Sequence, residues 1–392
     1  MSDLPPQWWR DESLLAAEVA RHGTPTDAAR ANGTEGRKVQ HWAKKFGITA
    51  TPPAPTTVIS VSREEMLSQE LSELKAAMSL KRKSEVKDER IIELLREMIP
   101  AVEPVFKPAP SAKEAGGTPH AFVLLWSDLH ASERVFSDQM NGINEYDWSI
   151  MLERHHKIIN AITSFKENRP YPVPTLHIVG LGDMVTGDIH DELRVTNEMT
   201  IMETALQLGM DGASFIESLI PLFENIIIDG VVGNHGRLQK KPPAKNQHDN
   251  FDWMVYHLIK LRLAKYSSVE VRVPKSWITK IQVQDRWNLV ATHGDGIRST
   301  MVGVPWGGIL RRAKELERQF SPTMGTIDHF LFGHWHEANV VANRRVIVNG
   351  SVKGVDEWVL KNFGAGADAT QLLLTFHPRR GLTDVSYLDL QR

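Results

Sequence analysis

Five short apolar runs, "HAFVLLWSD", "PTLHIVGLGD", "NIIIDGVVGN", "RWNLVATHGD" and "IDHFLFGHWH", each stop at Asp, Asn or His. An aliphatic run that halts at a polar tip reads as a buried strand delivering side chains to its C-terminal end. Amphipathic stretches such as "WSIMLERHHKIINAITSFKEN" and "NFDWMVYHLIKLRLAKY" lie between the runs. From about residue 119 the pattern is therefore α/β and layered, and open α/β sheets keep their sites at strand ends.

The tips supply Asp128 and His130 from "SDLH", Asp183 from "GLGD", Asn234 and His235 from "GNH", His293 from "THGD", and His334 and His336 from "GHWH". The chain has no cysteine, which excludes disulfides, thiolate zinc sites and cysteine nucleophiles. Carboxylate, imidazole and amide oxygen together suit divalent Mn, Fe or Zn, and their number exceeds what one ion needs. Two ions are the economical reading. A pair roughly 3.5 to 4 Å apart clamps a phosphoryl group and sharpens water into a nucleophile.

The ordered blocks "DLH", "GLGD", "GNH", "THGD" and "GHWH" resemble the calcineurin-like metallophosphoesterase superfamily over nearly all of residues 119 to 355. The resemblance implies a β-sandwich flanked by helices and two divalent ions, with manganese expected and iron, zinc, magnesium or nickel as alternatives. It implies one ion on Asp128, His130 and His336. Asp183 bridges to a second ion on Asn234, His293 and His334. His235 stays off the metals as proton donor to the departing oxygen, hydroxide attacks phosphorus in line, and Gly233 lets the backbone turn. Many members carry an acidic residue after Gly-Asn-His, but Gly236 and Arg237 follow here, which leaves the partner orienting His235 open. Arg237 is a candidate phosphate contact, as are His190 and Arg194, near Asp188 in an insertion expected to wall the cleft. The later "VNGSV" resembles the turn after the last block in several branches, and no role is assigned to it.

Ahead of this domain, residues 11 to 47 split into three helical patterns, "DESLLAAEVARHG", "PTDAARANG" and "EGRKVQHWAKKFGI". They look like the helix-turn-helix group of DNA-binding domains, with Leu15, Val19, Ala28, Ala29, Val39, Trp42 and Phe46 as core. Arg37, Lys38, Gln40, His41, Lys44 and Lys45 on the third helix offer partners to phosphates and base edges. A small protein-binding module with a solvated basic face is the alternative. The tandem Trp8 and Trp9, expected to be exposed, have no assigned place. Linkers are expected at residues 51–61 and 100–118, from their Pro-rich composition. Between them, 62–99 reads as one long helix. Its seam of Leu67, Leu71, Leu74 and Met78 gives way to Lys81 and Glu85, so a short dimerising coil and a solvated helix both remain open.

The formal net charge of -2 argues against a uniformly basic nucleic-acid binder, so attraction to phosphate must come from local patches. No apolar run approaches membrane-spanning length and "MSDLPPQWWRDE" is not a leader, which gives a cytoplasmic expectation, in the host if phage-encoded. Protein phosphatases of the superfamily carry Arg-Gly after the second block, where this chain has "GDMVTGDIHDE". The nuclease branch shares the Asp-x-His opening and the His-Gly fourth block. The leading expectation is a dinuclear DNA nuclease of phage or mobile-element type. A nucleotide or cyclic-nucleotide phosphodiesterase is the enzyme alternative, and a DNA-binding protein with a structural metal site the non-enzymatic one.

Overall fold

The computed structural model describes residues 4–49, 117–297, 304–363 and 366–391. The helix expected over 62–99, its seam and the homodimer built on it lie outside the described residues, as do the linkers apart from residues 117 and 118. The chain divides into two compact units, each described by itself.

In the first unit the helical patterns become α1 (Glu12–His22), α2 (Pro25–Ala31) and α3 (Gly36–Lys45). Asp11 caps α1 by accepting the Leu14 N–H, and Thr24 caps α2 by accepting from Asp27, with Pro25 opening that helix. Leu15, Val19, Ala28, Ala29 and Val39 are buried, with Trp42 and Phe46 packed against them. Trp8 is buried rather than exposed. A 3-10 turn, Trp8–Arg10, carries it into this core and sets Trp9 edge-on to it at 6.1 Å. Helices this short bury little aliphatic surface, and one indole closes the gap.

The second unit has strands β1 (Ala121–Trp126), β2 (Thr175–Gly180), β3 (Asn225–Gly230), β4 (Val269–Arg272), β5 (Ile278–Val283), β6 (Trp287–Thr292), β7 (His329–Phe332), β8 (Asn339–Val341), β9 (Val346–Val348), β10 (Thr370–His377) and β11 (Gly381–Asp389). Its helices are α4 (Trp148–Glu167), α5 (Leu193–Thr196), α6 (Ile201–Leu219), α7 (Phe251–Leu263), α8 (Trp306–Met324) and α9 (Glu357–Phe363). One sheet runs β11-β10-β1-β2-β3-β4, with β1 to β4 parallel and the β10–β11 hairpin antiparallel beside β1. The other runs β5-β6-β7-β9-β8, with β6, β7 and β9 parallel.

Alternation along β1 explains the layering. Phe122, Leu124 and Trp126 enter the core shared with α4, α6 and α7, while Ala121, Val123 and Leu125 meet Ile281, Leu289, Ala291, Leu331 and Ile347 of the second sheet. With both faces covered, the strand reads as an unbroken apolar run. On the far side of the second sheet, Ile309, Ala313 and Leu316 of α8 pack on Val290, Phe330 and Phe332. The unit is thus an α/β sandwich of two sheets between helices. No helix among the described residues is long and apolar enough to cross a membrane.

The core holds one histidine with a defined duty. Trp126 stacks on Phe215 at 5.4 Å and donates its indole N–H to His155 Nε2 at 3.0 Å. Burial pushes the His155 imidazolium down to about 3, so the ring is neutral in the fold and protonates far more readily once unfolded. That contribution is whole above the unfolded value of about 6.5 and is lost as pH falls toward about 3. In His155→Gln, which keeps an acceptor for the indole but cannot titrate, the fall in melting temperature between pH 6.5 and 4 is expected to be shallower than in the wild type. Equal slopes in paired thermal melts refute this.

Candidate metal centre

The predicted residues at the ends of β1, β2, β3, β6 and β7 converge from both sheets. Ligand atoms of Asp128, His130 and His336 lie within 4.8 Å of one another, as do those of Asp183, His293 and His334. A third group, His130, Asp183 and His235, meets the same distance criterion and links the two. His235 therefore lies beside His130 and Asp183, at the junction of the two groups. Asn234 joins through its amide oxygen, 3.1 Å from His293 Nε2.

Backbone geometry is unusual at five of these residues. Asp128, His130, Asp183, His334 and His336 all have left-handed φ, from 47° to 77°. Each such turn costs roughly 1–2 kcal/mol for a residue with a Cβ, and strain of this kind persists where surrounding structure over-determines it. The surroundings do so here. Asp128 Oδ1 accepts the His334 N–H at 2.9 Å, and its Oδ2 accepts from Ser127 at 2.5 Å. The "VNGSV" turn has a role after all. Ser351 Oγ donates to the Asp128 carbonyl at 2.8 Å, and Asn349 donates to Ser127 Oγ at 3.0 Å. Gly233 serves differently from expectation, because its φ is not left-handed. Its need is space: a Cβ there would sit 2.1 Å from Asp183 Oδ1 and 2.2 Å from Asp183 N.

The donor set fits divalent cations. His130 Nε2 and His336 Nε2 face each other at 3.0 Å, brought together from the loops after β1 and β7. Burial, reinforced by Lys353 and His235, holds His130 well below the usual histidine range, and burial with the His293 charge pushes His334 down to about 4. Both rings are thus neutral, as ligation requires. For His293, burial is outweighed by Asp183, which lifts it to about 10. Its Nδ1–H donates to the Leu181 carbonyl at 2.7 Å, leaving Nε2 between Asp183 Oδ2 at 3.0 Å and Asn234 Oδ1 at 3.1 Å. A proton there stands in for the positive charge these oxygens attract. Burial would raise Asp183, but His293 and His235 hold it well below the carboxylate range.

The partner that orients His235 is a backbone group. Its Nδ1 lies 2.7 Å from the Thr186 carbonyl, which can only accept, so Nδ1 carries the proton and Nε2 is left for the cleft. That cleft, of about 450 Å³, is lined by His130, Asp183, Asn234, His235, His334 and His336, with Trp335, Ile297, Val304 and Val355 forming apolar wall. His190 lines it too, 5.5 Å ring to ring from His235. Arg194, exposed on α5, and Asp188 do not line it. Arg237 donates to the Asn234 carbonyl at 2.8 Å and lines a neighbouring cavity of about 310 Å³ with Arg312 and Asp295. On the first unit Arg37, Lys38, Gln40, His41, Lys44 and Lys45 are all exposed. Lys38 pairs with Glu35 at 3.0 Å and Gln40 with Thr26 at 2.8 Å.

Four residues that shape the centre gave no sequence signal. Asp252, fully buried at the start of α7, accepts the N–H groups of Met184, Val185 and Gly233, tying the loop after β2 to the loop after β3. Burial and the Asp183 charge push it up to about 7. Glu133, Lys353 and Asp356 form a buried ion cluster, with Lys353 Nζ 2.9 Å from Glu133 Oε1 and paired with Asp356. Lone charges in loops look like surface residues, and only folding brings partners 220 positions apart into contact.

No protein-family profile matches the chain, and no curated protein does. Solved structures that it matches include an archaeal phosphodiesterase, 15% identical, covering 68% of this chain and 98% of that one at a TM-score of 0.30. A predicted phosphoesterase from Streptococcus pneumoniae is 12% identical over 69% and 90%, at 0.27. Vps29 of Chaetomium thermophilum is 11% identical over 68% and 96%, at 0.29. At such low identity, function has to be argued from the geometry of the site itself.

Gly233→Ala tests the crowding directly. The added methyl must displace Asp183, and overpacking of this kind costs about 1–3 kcal/mol. The expected result is a lowered melting temperature together with weakened retention of divalent cations, measured by elemental analysis after dialysis. Full cation retention at wild-type stability refutes the assignment.

Proposed function

We propose that this protein is a two-cation phosphodiesterase whose substrate is DNA. The observation that carries the phosphodiester reading is the pair of Asp/His groups, drawn from both sheets and joined through His130 and Asp183, each with its ligand atoms within 4.8 Å of one another. Asp128, His130 and His336 would hold one ion, Asp183, Asn234, His293 and His334 the other, with manganese expected. When bound, such ions supply Lewis-acid activation of water and of the phosphoryl group. The chain's own residues do the rest. Asp183 offsets positive charge with both oxygens. The Thr186 carbonyl fixes the His235 tautomer, so that Nε2 takes up a proton and returns it to the leaving oxygen.

Two observations support different substrates. The exposed basic face of α3, next to a core of three short helices, supports DNA as the docked polymer. The cleft, about 450 Å³ with an apolar wall at Trp335, Ile297 and Val304, has the size and character of a small-molecule pocket and supports a single nucleotide.

The deciding experiment is hydrolysis of single- and double-stranded DNA, RNA, cyclic nucleotides and an aryl phosphodiester by chelator-stripped protein, with and without added Mn²⁺. Cation-dependent cleavage of DNA supports the proposal, cleavage of cyclic nucleotides alone supports the second reading, and turnover of none refutes both. Within an active protein, His235→Ala is expected to cut turnover by about two to four orders of magnitude on alkyl esters and by less on the aryl ester, whose leaving group needs no proton. An equal loss on both refutes the proton-donor role.

Docking has its own test in the full chain. Replacing Arg37, Lys38, Lys44 and Lys45 with Ala is expected to weaken duplex binding and to make its salt slope shallower by about 0.9 per lost contact, with aryl phosphodiester turnover unchanged. Unchanged affinity and slope refute the DNA anchor.

A further inference from the structure

His130 presents a puzzle that its neighbours answer. Its Nε2 faces the candidate cation position, yet its Nδ1 is buried without a hydrogen-bond partner. Glu133 Oε2 lies 3.4 Å from that Nδ1, near but misaligned for a hydrogen bond. The rest of the Glu133 carboxylate is committed. Oε1 takes Lys353 Nζ at 2.9 Å, and Oε2 takes the Thr186 hydroxyl at 2.8 Å.

The charge inventory of this cluster points outward. Lys353 is one ammonium between two carboxylates, Glu133 and Asp356, all buried, so one negative charge is left over. Asp356 has a separate duty, accepting the Val359 N–H at 2.7 Å at the start of α9. Glu133 caps nothing. Its free lone pair faces an imidazole nitrogen that lacks an acceptor. A carboxylate behind a ligating histidine fixes the ring's tautomer and raises its basicity.

We propose that Glu133 is the positioning residue of the first cation site: it accepts the Nδ1–H of His130, turns Nε2 toward the ion, and lends the cluster's surplus negative charge to a bound dication. Lys353 and Asp356 hold Glu133 in place, and Thr186 couples it to His235, whose Nδ1–H its carbonyl accepts. The inference rests on the two-cation reading above. It adds to that reading a residue outside the five motif blocks.

The test is calorimetric titration of the stripped full-length protein with Zn²⁺ or Mn²⁺, wild type against Glu133→Gln, which keeps the side chain's shape and an oxygen for Lys353. Expected are two ions in the wild type and, in the variant, one ion bound about 10- to 100-fold more weakly with the other unchanged. A generally loosened fold would weaken both ions equally, so equal weakening overturns the positioning role, as does unchanged affinity for both. A wild type that binds no divalent cation overturns the two-cation reading itself. A measurement on wild-type protein covers failure of the variant to fold. In histidine-labelled, Zn²⁺-loaded protein, nitrogen-15 NMR should reveal a downfield, slowly exchanging Nδ1–H on His130. A rapidly exchanging or unprotonated Nδ1 overturns the proposal.

Discussion

The Asp183 carboxylate is the point on which the second unit's chemistry turns. Its Oδ1 accepts the His235 N–H, its Oδ2 meets His293 Nε2, and its own carbonyl accepts the His130 N–H. Through this one residue the loop after β2 fixes the loops after β1, β3 and β6. Around an anion buried to 1% exposure, the protein must supply positive charge or N–H donors, and it does so from both sheets. The left-handed turns at Asp128, His130, His334 and His336 arise from aiming so many side chains at one small volume.

The sheets meet at this centre because the parallel strands of each deliver their C-terminal ends to it. β1 to β3 belong to one sheet and β6 and β7 to the other, and each run ends in polar residues where its apolar alternation stops. Packing between Val123, Leu125, Ala291 and Leu331 sets the sheets' separation, and so the distance between the two halves of the centre. An error of an ångström in that core would be passed on to His293 and His334 relative to Asp128 and Asp183.

Much of this was legible in the residues themselves. The five motif strands, the α/β class and the convergence of Asp128, His130, Asp183, Asn234, His235, His293, His334 and His336 could be read because burial on both faces and an abrupt polar stop leave a one-dimensional trace. The β10–β11 hairpin left no comparable trace, although β10 lies beside β1 in the middle of the first sheet. β10 ends at His377 and β11 at Asp389, but neither polar tip falls in one of the five motif blocks. Asp252, Glu133 and Lys353 were illegible for another reason. Their significance lies in contacts across 19 to 220 positions, and a single carboxylate or ammonium carries no periodicity. The burial of Trp8 was equally hidden, because two adjacent tryptophans without a helical pattern look solvent-facing until a 3-10 turn buries one.

A donor set contributed by both sheets has a mechanical meaning in a chain without cysteine. A cation held by Asp128 from one sheet and His336 from the other would be a staple between them, doing what a disulfide does elsewhere but with a dissociation rate. Its grip scales with the logarithm of free cation concentration, about 1.4 kcal/mol for each tenfold change above the dissociation constant. Sheet cohesion in such a cation-loaded molecule would be set partly by the surrounding medium, and a chelator would act on it as a reductant acts on a cystine.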